Sequence, residues 1–173
     1  MRLETDLASI QIIAEQREEE NVRFRSFLKA YDGPDGRIDA LVHDLYQKVS
    51  SEIDCRQCSN CCRTIQPELS DEDVRVFAAG LTLPVDEFRA RYLVRREERG
   101  KWRFRRRPCP FLAGNLCTNY EQRPQDCRSY PHLHKEDFVA RLWNVIANCS
   151  ICPIVFTVYE QLKEELRYGD RLA

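Results

Sequence analysis

The chain has 173 residues, 43% of them hydrophobic and 32% charged, enough for one domain with a core of its own. No apolar run approaches the roughly 20 residues that cross a bilayer, and the opening MRLETDLASIQIIAEQREEE turns acidic where a secretory signal is apolar, so a cytoplasmic protein without a helical membrane span is expected. Net charge is −1 but unevenly spread: residues 1–88 carry 10 Lys/Arg against 18 Asp/Glu, residues 89–107 carry 10 against 2, and residues 108–173 carry 7 against 8.

Residues 3–29 read as a helix, with Leu3, Leu7, Ile10 and Ala14 on one face and a mostly solvated continuation, EQREEENVRFR. The cluster YDGPDG (31–36) is a turn. Ile38, Leu41, Val42, Leu45 and Val49 predict a second helix over 37–52, with His43 off its apolar stripe and exposed. Ser70 followed by Asp73 is a capping-box pattern ahead of Val74, Phe77 and Ala78, and Gly80 suits that helix's end. Pro84 opens a helix expected over 84–98.

At 101–107 the period changes to two. Basic side chains alternate with Trp102 and Phe104, which predicts a strand, and LAGNL (112–116) turns the chain back into LCTNY as a small hairpin. EDFVARLW (136–143) reads as another strand. Pro153 opens a last helix with Val155, Val158, Tyr159, Leu162 and Leu166 on one side.

CRQCSNCC, residues 55–62, places four cysteines within eight residues, and the chain holds nine in all. Disulfides, a redox couple and a metal site compete as explanations. A reducing cytosol disfavours structural disulfides, an odd count fits a disulfide framework poorly, and a Cys-x-x-Cys couple needs only two. Thiolates are soft anionic ligands for zinc and iron–sulfur clusters, and Cys-x-x-Cys lets two sulfurs from one loop reach one centre. Adjacent side chains tend to point apart, so Cys61 and Cys62 are expected to serve different centres, or one of them none. Cys109, Cys117, Cys127, Cys149 and Cys152 follow downstream. Eight thiolates fill two four-cysteine centres and four fill one; any others are buried thiols, with Cys152 the first candidate for a spare.

CRQCSNCC, then CPFL (109–112), then CTNYEQRPQDCRSYP (117–131) resemble the YkgJ-like cysteine-cluster family, a zinc- or iron-chelating domain with a CxxCxxCC motif. The resemblance runs from Cys55 to Pro153 and leaves the N-terminal helical part uncovered. It implies that Cys55, Cys58, Cys61, Cys62, Cys109, Cys117, Cys127 and Cys149 are the metal ligands. That family is similar to the cysteine-rich part of flagellin lysine-N-methylases, which implies an iron–sulfur cluster and a link to methyl transfer. The chain is far shorter than that enzyme and has no Gly-rich loop after a strand for S-adenosylmethionine, so the metal site is what carries over. Arg123 and Arg128 flank Cys127 within the matching string and are expected to offset thiolate charge; His132 and His134 read as surface-loop residues.

Ten basic residues with Tyr92, Trp102 and Phe104 among them invite a nucleic-acid reading of 89–107. An overall pI near 6.3 argues against it, and a solvated, structurally paired segment is expected instead. The expected architecture is a single α+β domain, mainly α-helical, with a small antiparallel β element: helices over 1–53, a cysteine-ligated metal core over 54–153 and a C-terminal helix over 154–173. The expected function is binding of metal ions, an iron–sulfur cluster ahead of Zn2+, with a redox or transferase role; the alternative is a zinc-stabilised interaction module without catalysis.

Overall fold

A computed structural model describes residues 3–31, 34 and 36–169. Half of the predicted turn at 31–36 (residues 32, 33 and 35) lies outside these residues. The chain is mainly helical, with two small antiparallel sheets of two strands each. It forms two compact units: one joins the chain up to Asp54 with the chain from Pro131 onward, and the other is Cys55–Tyr130.

The first unit is helical. Helices α1 (Leu7–Gln16) and α2 (Glu18–Lys29) replace the single helix expected over 3–29. They break at Arg17 (φ −98°, ψ 12°), whose guanidinium pairs with Glu160. The stretch after Ala14 is also less solvated than expected: Asn21, Phe24 and Leu28 are buried. Helix α3 (Arg37–Glu52) has the expected bounds and buries Ile38, Val42, Leu45 and Val49. His43 is half-buried rather than exposed.

The expected strand at 136–143 is a 3-10 turn, Phe138–Arg141, running into a helix over Leu142–Cys149. Its cause is non-local. Asp39 of α3 accepts the backbone N–H groups of Asp137 (2.8 Å) and Phe138 (2.9 Å) and so caps the turn from outside. The last helix, Pro153–Glu165, packs on α3 and on 142–149, and is buried along Ile154–Tyr159. Its Tyr159 hydroxyl donates to Asn21 O at 3.1 Å, and its buried Lys163 holds Glu20 (2.8 Å) and Glu160 (2.7 Å).

The second unit carries most of the cysteines. Short helices α4 (Cys55–Cys58) and α5 (Asn60–Thr64) precede α6 (Asp71–Gly80), whose N-terminus has the expected capping box: Ser70 Oγ accepts Asp73 N–H, and Asp73 accepts Ser70 N–H. Helix α7 (Val85–Tyr92) stops six residues short of the expected 98. The first four of these form strand β1 (Leu93–Arg96), paired antiparallel with β2 (Lys101–Phe104), and the other two enter a 3-10 turn, Glu97–Arg99. Gly100 makes the return in the left-handed region (φ 60°), where a Cβ is disfavoured. The alternation at 101–107 therefore finds its partner upstream, and LAGNL closes a separate hairpin, β3 (Leu112–Ala113) with β4 (Leu116–Cys117).

Pairing Leu93 with Phe104 and Arg95 with Trp102 sets one face of β1–β2 toward an aromatic core. Leu69, Val74, Phe77, Phe88, Leu93, Phe104 and Phe111 form that core, and Cys109 and Cys117 pack against it.

Candidate metal centre

Six cysteines arrive in pairs or singly on separate stretches of the Cys55–Tyr130 unit, Cys55 at the start of α4. Ser59 takes a left-handed conformation (φ 48°, ψ 15°) between α4 and α5. Only a tight reversal needs that conformation in a residue with a Cβ. It brings α5 back with Cys61 and Cys62 on it. The 109–112 segment is tied to α5 by the Cys109 N–H donating to Cys62 O at 2.8 Å. Cys117 ends β4, and Cys127 sits in α8 (Gln125–Ser129), which begins after Pro124.

These elements enclose a cavity of about 290 Å³. Cys55, Cys61, Cys62, Cys109, Cys117 and Cys127 all line it. Cys61 and Cys62 were expected to point apart; both face the cavity, and the Cys61 side chain hydrogen-bonds Cys62. The helical turn of α5 is the reason, since successive side chains there diverge by about 100° rather than the 180° of a strand.

The thiols do not behave alike. The Cys61 hydrogen bond lowers Cys62 to about 7 against the cost of burial, helped by the charges of Arg123 and Arg63. Burial pushes Cys109 up to about 11. Burial also raises Cys117, although the Asn119 N–H on its sulfur opposes this. Cys127 is raised most by burial and then by Cys62, Cys109 and Asp126. The members of the set thus hold each other's negative charge off. Mutually repelling thiolates around one cavity suit a bound metal cation, which lowers every thiol at once. Among the described residues no group of three or more His, Cys, Asp or Glu side chains is already drawn to a single coordination point; the sulfurs line a cavity.

Arg123 lies on the cavity wall, 3.4 Å above the Tyr120 ring, with Nε donating to Tyr120 O at 2.8 Å. Its charge reaches Cys62 and Cys117. Arg128 also lines the cavity, but its N–H groups go to the carbonyls of Arg123 (2.8 Å) and Glu121 (2.6 Å), so it braces the loop that carries Arg123.

Sequence reasoning missed Arg63. It donates to Cys58 O (3.1 Å), Gly114 O (3.0 Å), Asn115 Oδ1 (2.6 Å) and Ser59 Oγ, tying α4, α5 and the 112–117 hairpin together beside Cys62. Its place next to Cys62 in the chain was the available signal.

Two expected ligands are not among the residues that line the cavity. Cys58 ends α4, half-buried, and is not one of the cavity-lining residues. Cys149 ends the 142–149 helix in the helical unit, 2% exposed, beside Cys152, Glu160 and Lys163. Cys152 is 6% exposed in the same unit. His132 and His134 also belong to the helical unit, with His134 near the Tyr46 ring.

The family model CxxCxxCC, a "putative zinc- or iron-chelating domain", matches residues 54–153. No curated protein and no solved structure matches the chain. No helix among the described residues is long and apolar enough to cross a membrane.

Proposed function

The chain belongs to the CxxCxxCC family of zinc- or iron-chelating domains, and we propose that it holds its metal in the cavity of the Cys55–Tyr130 unit, through thiolates drawn from Cys55, Cys61, Cys62, Cys109, Cys117 and Cys127. The observation that carries this reading is the convergence of six cysteines, from separate segments, on one cavity. Cys58 joins by motif spacing alone. Cys149 is left out, because its thiol is held in the core of the helical unit.

Six thiols exceed the four that one tetrahedral zinc site or one iron–sulfur cluster takes, so either metal would draw its ligands from within this set. A bound cluster supplies one-electron redox chemistry, whereas zinc in such a site acts as a structural clamp. The chain's own contribution is charge and orientation. Arg123 and Arg63 offset thiolate charge at Cys62, Arg128 fixes the Arg123 loop, and Asn119 N–H holds the Cys117 sulfur.

The test is elemental analysis and visible absorption of untagged protein purified without oxygen, beside a Cys62→Ala, Cys127→Ala double variant. Brown protein with stoichiometric iron and sulfide supports the cluster. Colourless protein with stoichiometric zinc assigns the structural module instead. Wild-type protein that is folded and free of both metals refutes the metal reading.

A further inference from the structure

The basic segment finds only part of its explanation in pairing. Arg89 holds Asp71 (3.1 Å) and Asp86 (3.5 Å), Arg99 holds Glu68 (2.9 Å), and Arg95 lies over the Trp102 ring. Arg96, Arg103 and Arg107 have no carboxylate partner among the described residues and line a second cavity of about 290 Å³, with Thr64, Ile65, Gln66 and Glu68 also on its wall; one Arg107 N–H donates to Thr64 O at 3.1 Å. The register explains how they meet. Val94 is paired with Arg103 and Arg96 with Lys101, so these side chains share the β1–β2 face opposite Leu93, Trp102 and Phe104.

Arg103 is the informative member. Its Nε is buried and has no hydrogen-bond partner. Arg89 and Arg25 also have a buried, unpartnered Nε, but Arg89 is ion-paired and Arg25 lies 4.2 Å over the Trp143 ring. Among the described residues Arg103 has neither a carboxylate nor a ring. With Nε enclosed, the terminal N–H groups of Arg103, which have no acceptor among the described residues, are the donors that a ligand in the cavity can meet.

The charge count selects the acceptor. Three arginines against Glu68, whose carboxylate is itself held by Arg99, leave at least two positive charges on the cavity. A carboxylate answers one of them. A phosphate monoester carries about −1.5 to −2 at neutral pH and offers several acceptor oxygens to forked donors. We propose that this cavity is a binding site for the phosphate group of a small phosphorylated molecule, recognised by Arg96, Arg103 and Arg107. Ile65 lines both this cavity and the cysteine cavity, so the two sites share the wall that follows α5. The proposal does not depend on which metal the cysteines hold.

The experiment is titration calorimetry on the metal-loaded protein with inorganic phosphate, glycerol phosphate and acetate, all at matched ionic strength set with chloride. Wild type should bind phosphate or glycerol phosphate saturably at one site, and acetate should not compete. Tighter binding of glycerol phosphate identifies an ester as the ligand; equal binding identifies free phosphate. Arg103→Gln and Arg96→Gln, made separately, should each weaken binding by about tenfold or more while metal content and melting temperature stay unchanged. Wild type without saturable binding, or both variants binding as wild type does, overturns the proposal. So does tight binding of a short RNA that glycerol phosphate fails to displace, which would make the surface a nucleic-acid contact.

Discussion

Replacing Gly80 with alanine should destabilise the protein, although alanine is the better helix former. Gly80 closes α6, where a β-carbon would fall 2.4 Å from Asn119 Oδ1, 2.9 Å from Gln122 Cγ and 3.0 Å from Asn119 Nδ2. Asn119 cannot swing aside freely. It is 4% exposed, and its Nδ2 donates to Phe77 O at 2.9 Å. The helix-propensity gain is at most about 1 kcal/mol and smaller at a helix end. Against it stand an overpacking cost of about 1–3 kcal/mol and loss of the Asn119–Phe77 bond, about 1 kcal/mol. The net loss is about 1–3 kcal/mol, or roughly 3–10 °C of melting temperature for a chain of this size.

The same shift reaches the cysteines, because the Asn119 N–H is bonded to the Cys117 sulfur. Metal affinity should fall with stability, by about tenfold or more if that bond is lost. Thermal melts and competitive chelation of wild type, Gly80→Ala, Asn119→Ala and the double variant check both effects. In the Asn119→Ala background the Asn119 contacts are gone and only the 2.9 Å approach to Gln122 Cγ remains, so Gly80→Ala should cost clearly less there than in wild type. A Gly80→Ala single variant that melts at or above wild type would refute the steric argument.

Two further outcomes are expected. Asp73 accepts Ser70 N–H (2.8 Å) and Gln125 N–H (2.8 Å), and although burial opposes ionisation, these bonds and the Ser70 hydroxyl hold its carboxyl below the usual range. Its contribution is therefore present above the unfolded carboxyl value, about pH 4, and is lost as pH falls through the lower folded value; urea midpoints should show that acid loss in wild type and not in Asp73→Asn, and Ser70→Ala should cost about 1 kcal/mol at neutral pH. Cys149→Ala and Cys152→Ala should each lose about 1–2 kcal/mol of packing and keep full metal, whereas Cys127→Ala should lose metal; metal loss in Cys149→Ala would return Cys149 to the ligand set.

The elements that sequence reading located well are those whose signals are local. Helix α3 has its apolar spacing, α6 its Ser70–Asp73 box and the last helix its Pro153, and each signal lies inside the element it marks. The misreadings share the opposite property. Strand β1 lies in LVRR, which continues the helical pattern of α7 until β2 is there to pair with it. The stretch 136–143 alternates like a strand, but a carboxylate from residue 39 caps it as a turn. In both cases a partner distant in the chain outweighed local periodicity, the usual limit of propensity arguments.

For the site the division falls differently. Thiolate chemistry was legible because cysteine spacing is a property of the chain, whereas a cavity wall is a property of the fold. Nothing in CRQCSNCC says whether its backbone is helical or extended, and that choice alone decides whether adjacent cysteines share a cavity. The left-handed Ser59 and the short α5 make the choice here, and Arg63, on α5, secures it by binding the Cys58 carbonyl before the turn and the Gly114 carbonyl of the 112–117 hairpin. Cys149 shows the same limit in reverse. Three residues before Cys152 and inside the family match, it has ligand-like spacing, yet the apolar face of its helix, Leu142 and Val145, carries it into the core of the helical unit. Spacing nominates ligands, and the burial of the element that bears them decides which thiols remain free to meet a metal.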